Sequence, residues 1–290
     1  MSREIALLTN PTAGRGRGRR ARDIALTRLR SVGIAVRAIE GADADQAMVL
    51  AREQVASGVD ALVVCGGDGM VNLGLQAVAS TDTPLGIIPA GTGNDVARYF
   101  DIPLKDPATA AERIIAWKTR TVDLARCHDR YYATVMAAGF DAIVNERANR
   151  MSWPRGQMRY NLATLAELRT FKPLPYILEI DGTVLHLSAM LVAIGNGPSF
   201  GGGLRITEGA VLDDGYLDVV VIKPISKFEL VRTYPKLFKG THTTHPQYEH
   251  HRARKVTVAA PGIVGYADGE RFGPLPVTIE CVPEALQVLA

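Results

Sequence analysis

Two rhythms share the first part of the chain: short solid apolar runs, and longer stretches with apolar residues at helical spacing. Ile5 to Leu8 is an apolar run that breaks at Asn10-Pro11, crosses a loop rich in Gly and Arg, and gives way to a predicted helix from Arg19 to Val32. The unit repeats, with a strand over Ile34 to Ile39 and a helix over Asp43 to Ala56, then a strand over Ala61 to Cys65 and a helix over Met70 to Ala79. A further strand, Leu85 to Ile88, ends at Pro89 before a glycine loop and a short helix from Asp95. Strands alternating with helices predict an α/β layer with a mostly parallel sheet. After a helix over Pro107 to Trp117 the rhythm changes. Tyr131 to Ala138, Tyr176 to Ile180, Val184 to Ile194 and Tyr216 to Ile222 read as strands, with helical stretches at Gln157 to Thr170 and Lys227 to Leu237. The expected organisation is an α/β domain over residues 1–125 and a β-rich domain over 126–290, the last strand being free to return to the first domain.

Composition narrows the class. With 290 residues, 47% hydrophobic and 22% charged, the chain has an ordinary globular make-up and the length for two cores. The net charge of +3 is small, but Arg15, Arg17, Arg19, Arg20 and Arg22 crowd together, either as a local anion-attracting patch or as a solvated helix face. No aromatic residues interleave with them, so nucleic acid is not an expected partner. Cys65, Cys127 and Cys281 form no close pair, which fits neither a disulfide framework nor a zinc knuckle and makes a reducing cytosol the simplest compartment. The start carries no signal-peptide pattern, and the most apolar stretches, such as Ala133 to Val144, fall short of the roughly 20 residues that cross a bilayer. A lipid would have to be met from the surface.

The loops carry the chemistry. Val63-Val64-Cys65-Gly66-Gly67-Asp68-Gly69-Met70 is an apolar strand that ends in glycines around one aspartate and restarts as a helix. Such a turn exposes consecutive backbone N–H groups at a helix N-terminus, where an anion is favoured. Asp68 is then a hard oxygen ligand suited to Mg²⁺ beside phosphates. Pro89-Ala90-Gly91-Thr92-Gly93-Asn94-Asp95 ends the next strand similarly, with Asn94 or Asp95 as helix cap and Thr92 as hydroxyl donor, and Asn10-Pro11-Thr12-Ala13-Gly14 ends the first. Each alone is also an ordinary strand-to-helix turn. Together, at the carboxyl ends of neighbouring strands, they converge on one crevice. Neither a P-loop nor a dinucleotide fingerprint is present. Asp268-Gly269-Glu270 adds a carboxylate on a turn between strand-like runs, a place from which it can reach a cleft.

In this order, Asn10-Pro11, Gly66-Gly67-Asp68-Gly69, Gly91-Thr92-Gly93-Asn94-Asp95, Asn196-Gly197, Gly201-Gly202-Gly203, Asp213-Asp214-Gly215-Tyr216-Leu217-Asp218 and Asp268-Gly269-Glu270 resemble the diacylglycerol kinase catalytic family, which includes bacterial lipid kinases and sphingosine and ceramide kinases. The resemblance covers nearly the whole chain. It implies a two-domain lipid-kinase or NAD-kinase-like architecture, ATP as co-substrate and Mg²⁺ as cofactor, with phosphate transferred to a lipid hydroxyl, diacylglycerol by default. It implies nucleotide contacts at Asn10, Gly66, Gly67, Asp68, Gly69 and Thr92, with Glu270 as general base and Asp68 organising the catalytic Mg²⁺. A second, structural Mg²⁺ would be held by the Asp214 side chain and the carbonyls of Val211 and Tyr216. The chain departs from the family pattern at Met70, where threonine is common, and at Leu73, where glutamate is common. A small-molecule kinase of the NAD kinase type and a catalytically weak nucleotide- or lipid-binding regulator remain as alternatives. The implied partner is membrane lipid at the bilayer surface, from a cytoplasmic, peripherally associated protein; a homodimer is allowed. His242, His245, His250 and His251 read as a mobile surface segment, not a metal site. Trp153 and Pro154, with Met151, Arg155 and Met158, are candidates for a lipid-facing lip.

Overall fold

The structure is a computed structural model, and it describes residues 3–9, 17–139, 172–268 and 270–290, with isolated positions between 144 and 166. Four strands open the chain: β1 (Glu4–Thr9), β2 (Ala35–Glu40), β3 (Ala61–Gly66) and β4 (Leu85–Pro89). They pair in parallel in the order β2-β1-β3-β4. The helices between them are α1 (Arg17–Ser31), α2 (Ala44–Ala56) and α3 (Asp68–Val78), followed by the short α4 (Asp95–Tyr99) and α5 (Pro107–Ala116). Strands β1, β3 and β4 are buried on both faces, which explains their solid apolar runs. Being parallel, β3 and β4 end at one edge, so the loops that follow these two share one side of the sheet.

The second half is a β-sandwich. The parallel sheet continues through β16 (Val277–Leu289) to β13 (Lys255–Ala259), β8 (Leu174–Ile180) and β9 (Thr183–Ala189), with β5 (Thr119–Cys127) and β6 (Arg130–Tyr132) branching from β16. Strand β16 pairs with β4 in parallel and with β5 antiparallel, so the end of the chain is built into the first sheet. A second sheet runs β12-β11-β10-β7-β14-β15, formed by β7 (Val135–Gly139), β10 (Leu191–Gly195), β11 (Leu217–Ile222), β12 (Tyr248–Ala253), β14 (Val264–Ala267) and β15 (Glu270–Pro274). Tyr176, Leu178, Val256 and Ile279 from the large sheet pack against Met136, Val192, Val219 and Val221 from the small one, as in face-to-face sheet packing. Helix α6 (Lys227–Leu237) follows β11.

Two runs expected as single strands are each divided between the sheets. Tyr131 to Ala138 breaks at Ala133-Thr134, whose N–H groups donate to the Asp268 carboxylate at 3.2 and 3.1 Å and are thereby taken out of the ladder. Val184 to Ile194 breaks at Met190, where the chain leaves β9 and its N–H bonds Ile222 O at 2.8 Å. Strand β12 was not expected because its sequence, Tyr-Glu-His-His-Arg-Ala, has one fully buried side chain. The predicted helix over Gln157 to Thr170 lies almost wholly outside the described residues, as do Pro154, Arg155 and Met158.

Candidate functional site

The site is assembled at the N-terminus of α3. That helix is buried along Val71, Leu73 and Leu75, so its position is fixed by the core and its first turn points out of the sheet edge. Gly67 is its N-cap, with no side chain to satisfy the open N–H groups. A Cβ on Gly67 would stand 3.0 Å from Gly91 Cα, so the two glycine loops touch backbone to backbone. Over Gly66, the space that a Cβ would take is filled by Met70, which is buried, as is Leu73. The residues that depart from the family pattern are therefore core-packing side chains here.

Asp68 joins the two loops. Its Oδ2 accepts the N–H of Asn94 at 2.8 Å, and its Oδ1 that of Asp95 at 2.7 Å. Asn94, one of the two residues expected to cap α4, does stand at its N-cap, although its side chain makes no capping bond. Asn94 sits in the left-handed region with φ 55° and turns its side chain back to Gly91, accepting from Gly91 N and donating to Gly91 O. The carboxylate that receives the N–H groups at the start of α4 is instead that of Asp68. Asp95 in turn reaches the second domain, where its carboxylate accepts the N–H groups of Gly202 and Gly203, both at 2.7 Å. Only 4% exposed, Asp95 has its carboxyl raised above the ordinary 3.8, first by burial and further by the charge of Asp68, while the glycine N–H groups oppose the shift. Nearby, Tyr99 donates its hydroxyl to Ser199 O, and a Cβ on Gly197 would enter the Tyr99 ring.

Asp268 is the third clamp. It accepts Asn72 Nδ2 at 3.0 Å, the N–H groups of Ala133 and Thr134, and the Thr134 hydroxyl. Burial raises its carboxyl against the pull of those donors. Through Asn72 it ties α3 to the turn that carries Glu270. Glu270 is exposed, and its Oε1 lies 3.9 Å from where a Cβ on Gly69 would be. The structure thus brings Gly66, Gly67, Asp68, Gly69 and Glu270 together, with the exposed Thr92 in the adjoining loop. Asn10 lies outside the described residues.

The glycine cradle fits a phosphate chain: two loops approach with backbone where side chains would intrude. Each Asp68 oxygen accepts one N–H and retains acceptor capacity, so a hard cation beside those phosphates fits as well. Asp214 is different. Its Oδ1 accepts Tyr216 N at 3.1 Å and its Oδ2 is paired with Arg252, so a guanidinium already holds the place that a cation there would take. With the side chains so arranged, Asp214, Val211 and Tyr216 do not fit a resident Mg²⁺ without displacement of Arg252. The adjoining turn is held by Asp123, which accepts Gly215 N at 2.7 Å and Glu284 N at 2.8 Å.

Two further expectations change. His242 is 2% exposed, with Nε2 against Ile206 O at 3.2 Å, so it is a core residue, not part of a surface segment. His250 pairs with Asp218 at 2.6 Å and His251 with Glu249 at 2.8 Å on β12. The arginine group is dispersed where it is described: Arg22 pairs with Asp23 and Glu40, and Arg19 and Arg20 face solvent. Trp153 is 77% exposed. Sequence reasoning missed the clamping roles of Asp95, Asp123 and Asp268. Asp95 and Asp268 were marked only by their place beside glycine turns and Asp123 by nothing local, and no such signal shows which carboxylates point inward.

Both halves of the chain match known family models. Residues 4–127 match the family model described as the diacylglycerol kinase catalytic domain. Residues 134–290 match the one described as the YegS C-terminal NAD kinase beta sandwich-like domain. A Mycobacterium tuberculosis protein named diacylglycerol kinase is 46% identical, the match covering 99% of this chain and 94% of that one. One of the same name from Staphylococcus aureus is 26% identical, covering 100% and 93%. In fold, the chain is similar to a crystal structure of a candidate diacylglycerol kinase from Bacillus anthracis, with TM-score 0.82 at 24% identity over 99% of this chain and 95% of that one. A further Bacillus anthracis diacylglycerol kinase structure gives 0.76 at 22% identity, over 99% and 96%.

Proposed function

The chain belongs to the diacylglycerol kinase family and is a lipid kinase of that type, and from that premise we propose that it phosphorylates diacylglycerol to phosphatidic acid with Mg²⁺-bound ATP. The observation that carries the reading is the placement of the exposed Glu270 carboxylate against Gly69, on the rim of a cradle whose other carboxylates, Asp68 and Asp95, hold backbone N–H groups. When bound, Mg²⁺ neutralises phosphate charge, which phosphoryl transfer requires. The chain supplies the rest. Gly66 to Gly69, with Thr92 and Gly93 of the adjoining loop, present backbone to the phosphates, and Asp68 holds these two loops in register. Glu270, free to reach the acceptor, takes the hydroxyl proton as the oxygen attacks.

The test is ADP release by the purified protein with Mg²⁺ATP against diacylglycerol, ceramide, sphingosine, phosphatidylglycerol and NAD, with Asp68→Asn and Glu270→Gln alongside. Turnover on diacylglycerol that both variants abolish is the expected result. Turnover on NAD alone, or on no lipid, would overturn the reading; turnover on another lipid alone would keep the kinase and replace its substrate.

A further inference from the structure

We infer that the outward face of α6 docks this protein on an anionic lipid bilayer. The helix has two distinct stripes. Leu230, Thr233 and Leu237 are half-buried and face the body, while no residue of the helix is fully buried. Around the other side, Phe228, Val231, Pro235 and Phe238 recur at helical spacing and are exposed, Phe228 by 77% and Val231 by 54%. A helix packed only at its margin and showing two phenylalanines to solvent is unfinished as a piece of soluble structure. Its start is nonetheless well made, with Ser226 and Glu229 forming a reciprocal capping box.

Charge selects the occupant. Arg232, Lys236 and Lys239 flank the apolar stripe and are exposed, and the one carboxylate in the helix, Glu229, is used in the cap. An apolar stripe bordered by cations suits the headgroup boundary of an anionic leaflet. A second copy of this chain is the poorer match, because a twofold interface would set this basic border against itself. The placement also suits a kinase whose acceptor lies in a bilayer, and to that extent the inference rests on the function proposed above. Arg205 N donates to Leu237 O at 3.0 Å, and Arg205 follows shortly after Gly203, whose N–H is held by Asp95. The end of the docking helix is therefore on the order of 7 Å of chain from the clamp of the crevice.

Vesicle flotation of the intact protein tests this, using phosphatidylcholine vesicles with and without phosphatidylglycerol. Wild type should float with the anionic vesicles only. Phe228→Ser with Val231→Ser should lower partition about tenfold or more. Arg232→Glu with Lys236→Glu and Lys239→Glu should lower it about a hundredfold, at roughly fivefold per cation removed from an anionic surface. Both variants should keep the wild-type melting temperature and turnover on a dispersed short-chain diacylglycerol. Equal flotation of wild type and both variants, or equal binding to neutral and anionic vesicles, would overturn the inference. So would a dimeric mass by light scattering that the serine variant abolishes, which would assign the face to a second copy. Flotation that depends on α6 in a protein that phosphorylates no lipid would keep this inference and remove the functional reading, whereas lipid turnover with flotation indifferent to α6 would do the reverse.

Discussion

Asp95→Asn separates a residue that shapes the crevice from one that reacts in it. The carboxylate accepts two N–H groups at 2.7 Å, from Gly202 and Gly203, and the amide that replaces it has one oxygen to offer. One charge-assisted bond is lost, at about 1.5–3 kcal/mol, and a buried N–H is left facing an NH₂, at about 1–3 kcal/mol. Part of this is returned, because burial already holds the Asp95 carboxyl above its ordinary value and the neutral amide escapes that cost. The net destabilisation is about 2 kcal/mol, or ~4 °C in melting temperature for a chain of this size. The effect on catalysis should be larger, since the 91–95 loop and the second domain lose their common anchor; misplacement of about 1 Å costs on the order of 100-fold in turnover. Calorimetry and ADP release on the same preparation give both numbers. Melting within a degree of wild type together with unchanged kcat/KM would refute the argument that Asp95 holds the loops.

Glu270→Gln should do the opposite: the side chain is exposed, so melting stays at the wild-type value, while kcat falls about 100-fold to 10,000-fold, the usual range for a lost general base. Gly91→Ala should raise the KM for ATP about tenfold, because a Cβ there runs into Gly67 Cα and Asn94 Oδ1 and the overpacking costs about 1–3 kcal/mol; steady-state kinetics with varied ATP decide it. His242 is held below its ordinary 6.5, chiefly by burial, against the Ile206 carbonyl and Glu208. The unfolded chain therefore protonates it first, so its contribution to stability is present above pH 6.5 and is lost as pH falls from there through the lower folded value. Wild-type melting should drop over that window, and His242→Gln should remove that part of the slope. Arg252→Ala frees Asp214 of its guanidinium, so Mg²⁺ should raise its melting temperature more than that of wild type; equal shifts would exclude Asp214 as a metal ligand.

The α/β half was legible because its signals are local. Strands β1, β3 and β4 are buried on both faces and read as solid apolar runs, and each ends in a turn whose glycines are visible as letters. The sandwich was harder because three of its chain crossings between sheets depend on distant partners. Asp268 turns the chain at Ala133-Thr134, Ile222 receives it at Met190, and Asp181 takes the N–H groups of Arg254 and Lys255 where β12 passes to β13. No local periodicity marks such points. For the same reason the bonds from Asp68 to the start of α4 could not be read locally, since its partners lie 26 and 27 positions further along the chain.

The carboxylates of the crevice divide into two kinds, and the division bears on how the enzyme closes. Asp95 and Asp268 are buried, and each accepts N–H groups of the second domain; Asp268 also accepts from Asn72 on α3. They fix where the β-sandwich sits on the α/β half of the chain. Glu270 carries no such bond among the described contacts, yet it stands on the turn that Asp268 anchors. Its distance from Gly69 is therefore set by the docking of one domain on the other and not by the flexibility of its own side chain alone. A rotation that opens the crevice must break the Asp268–Asn72 bond or carry α3 with it. The expected hinge motion is accordingly small at Glu270 and larger away from these clamps, and Asn72→Ala should loosen Glu270 from the cradle without touching either the glycines or the glutamate.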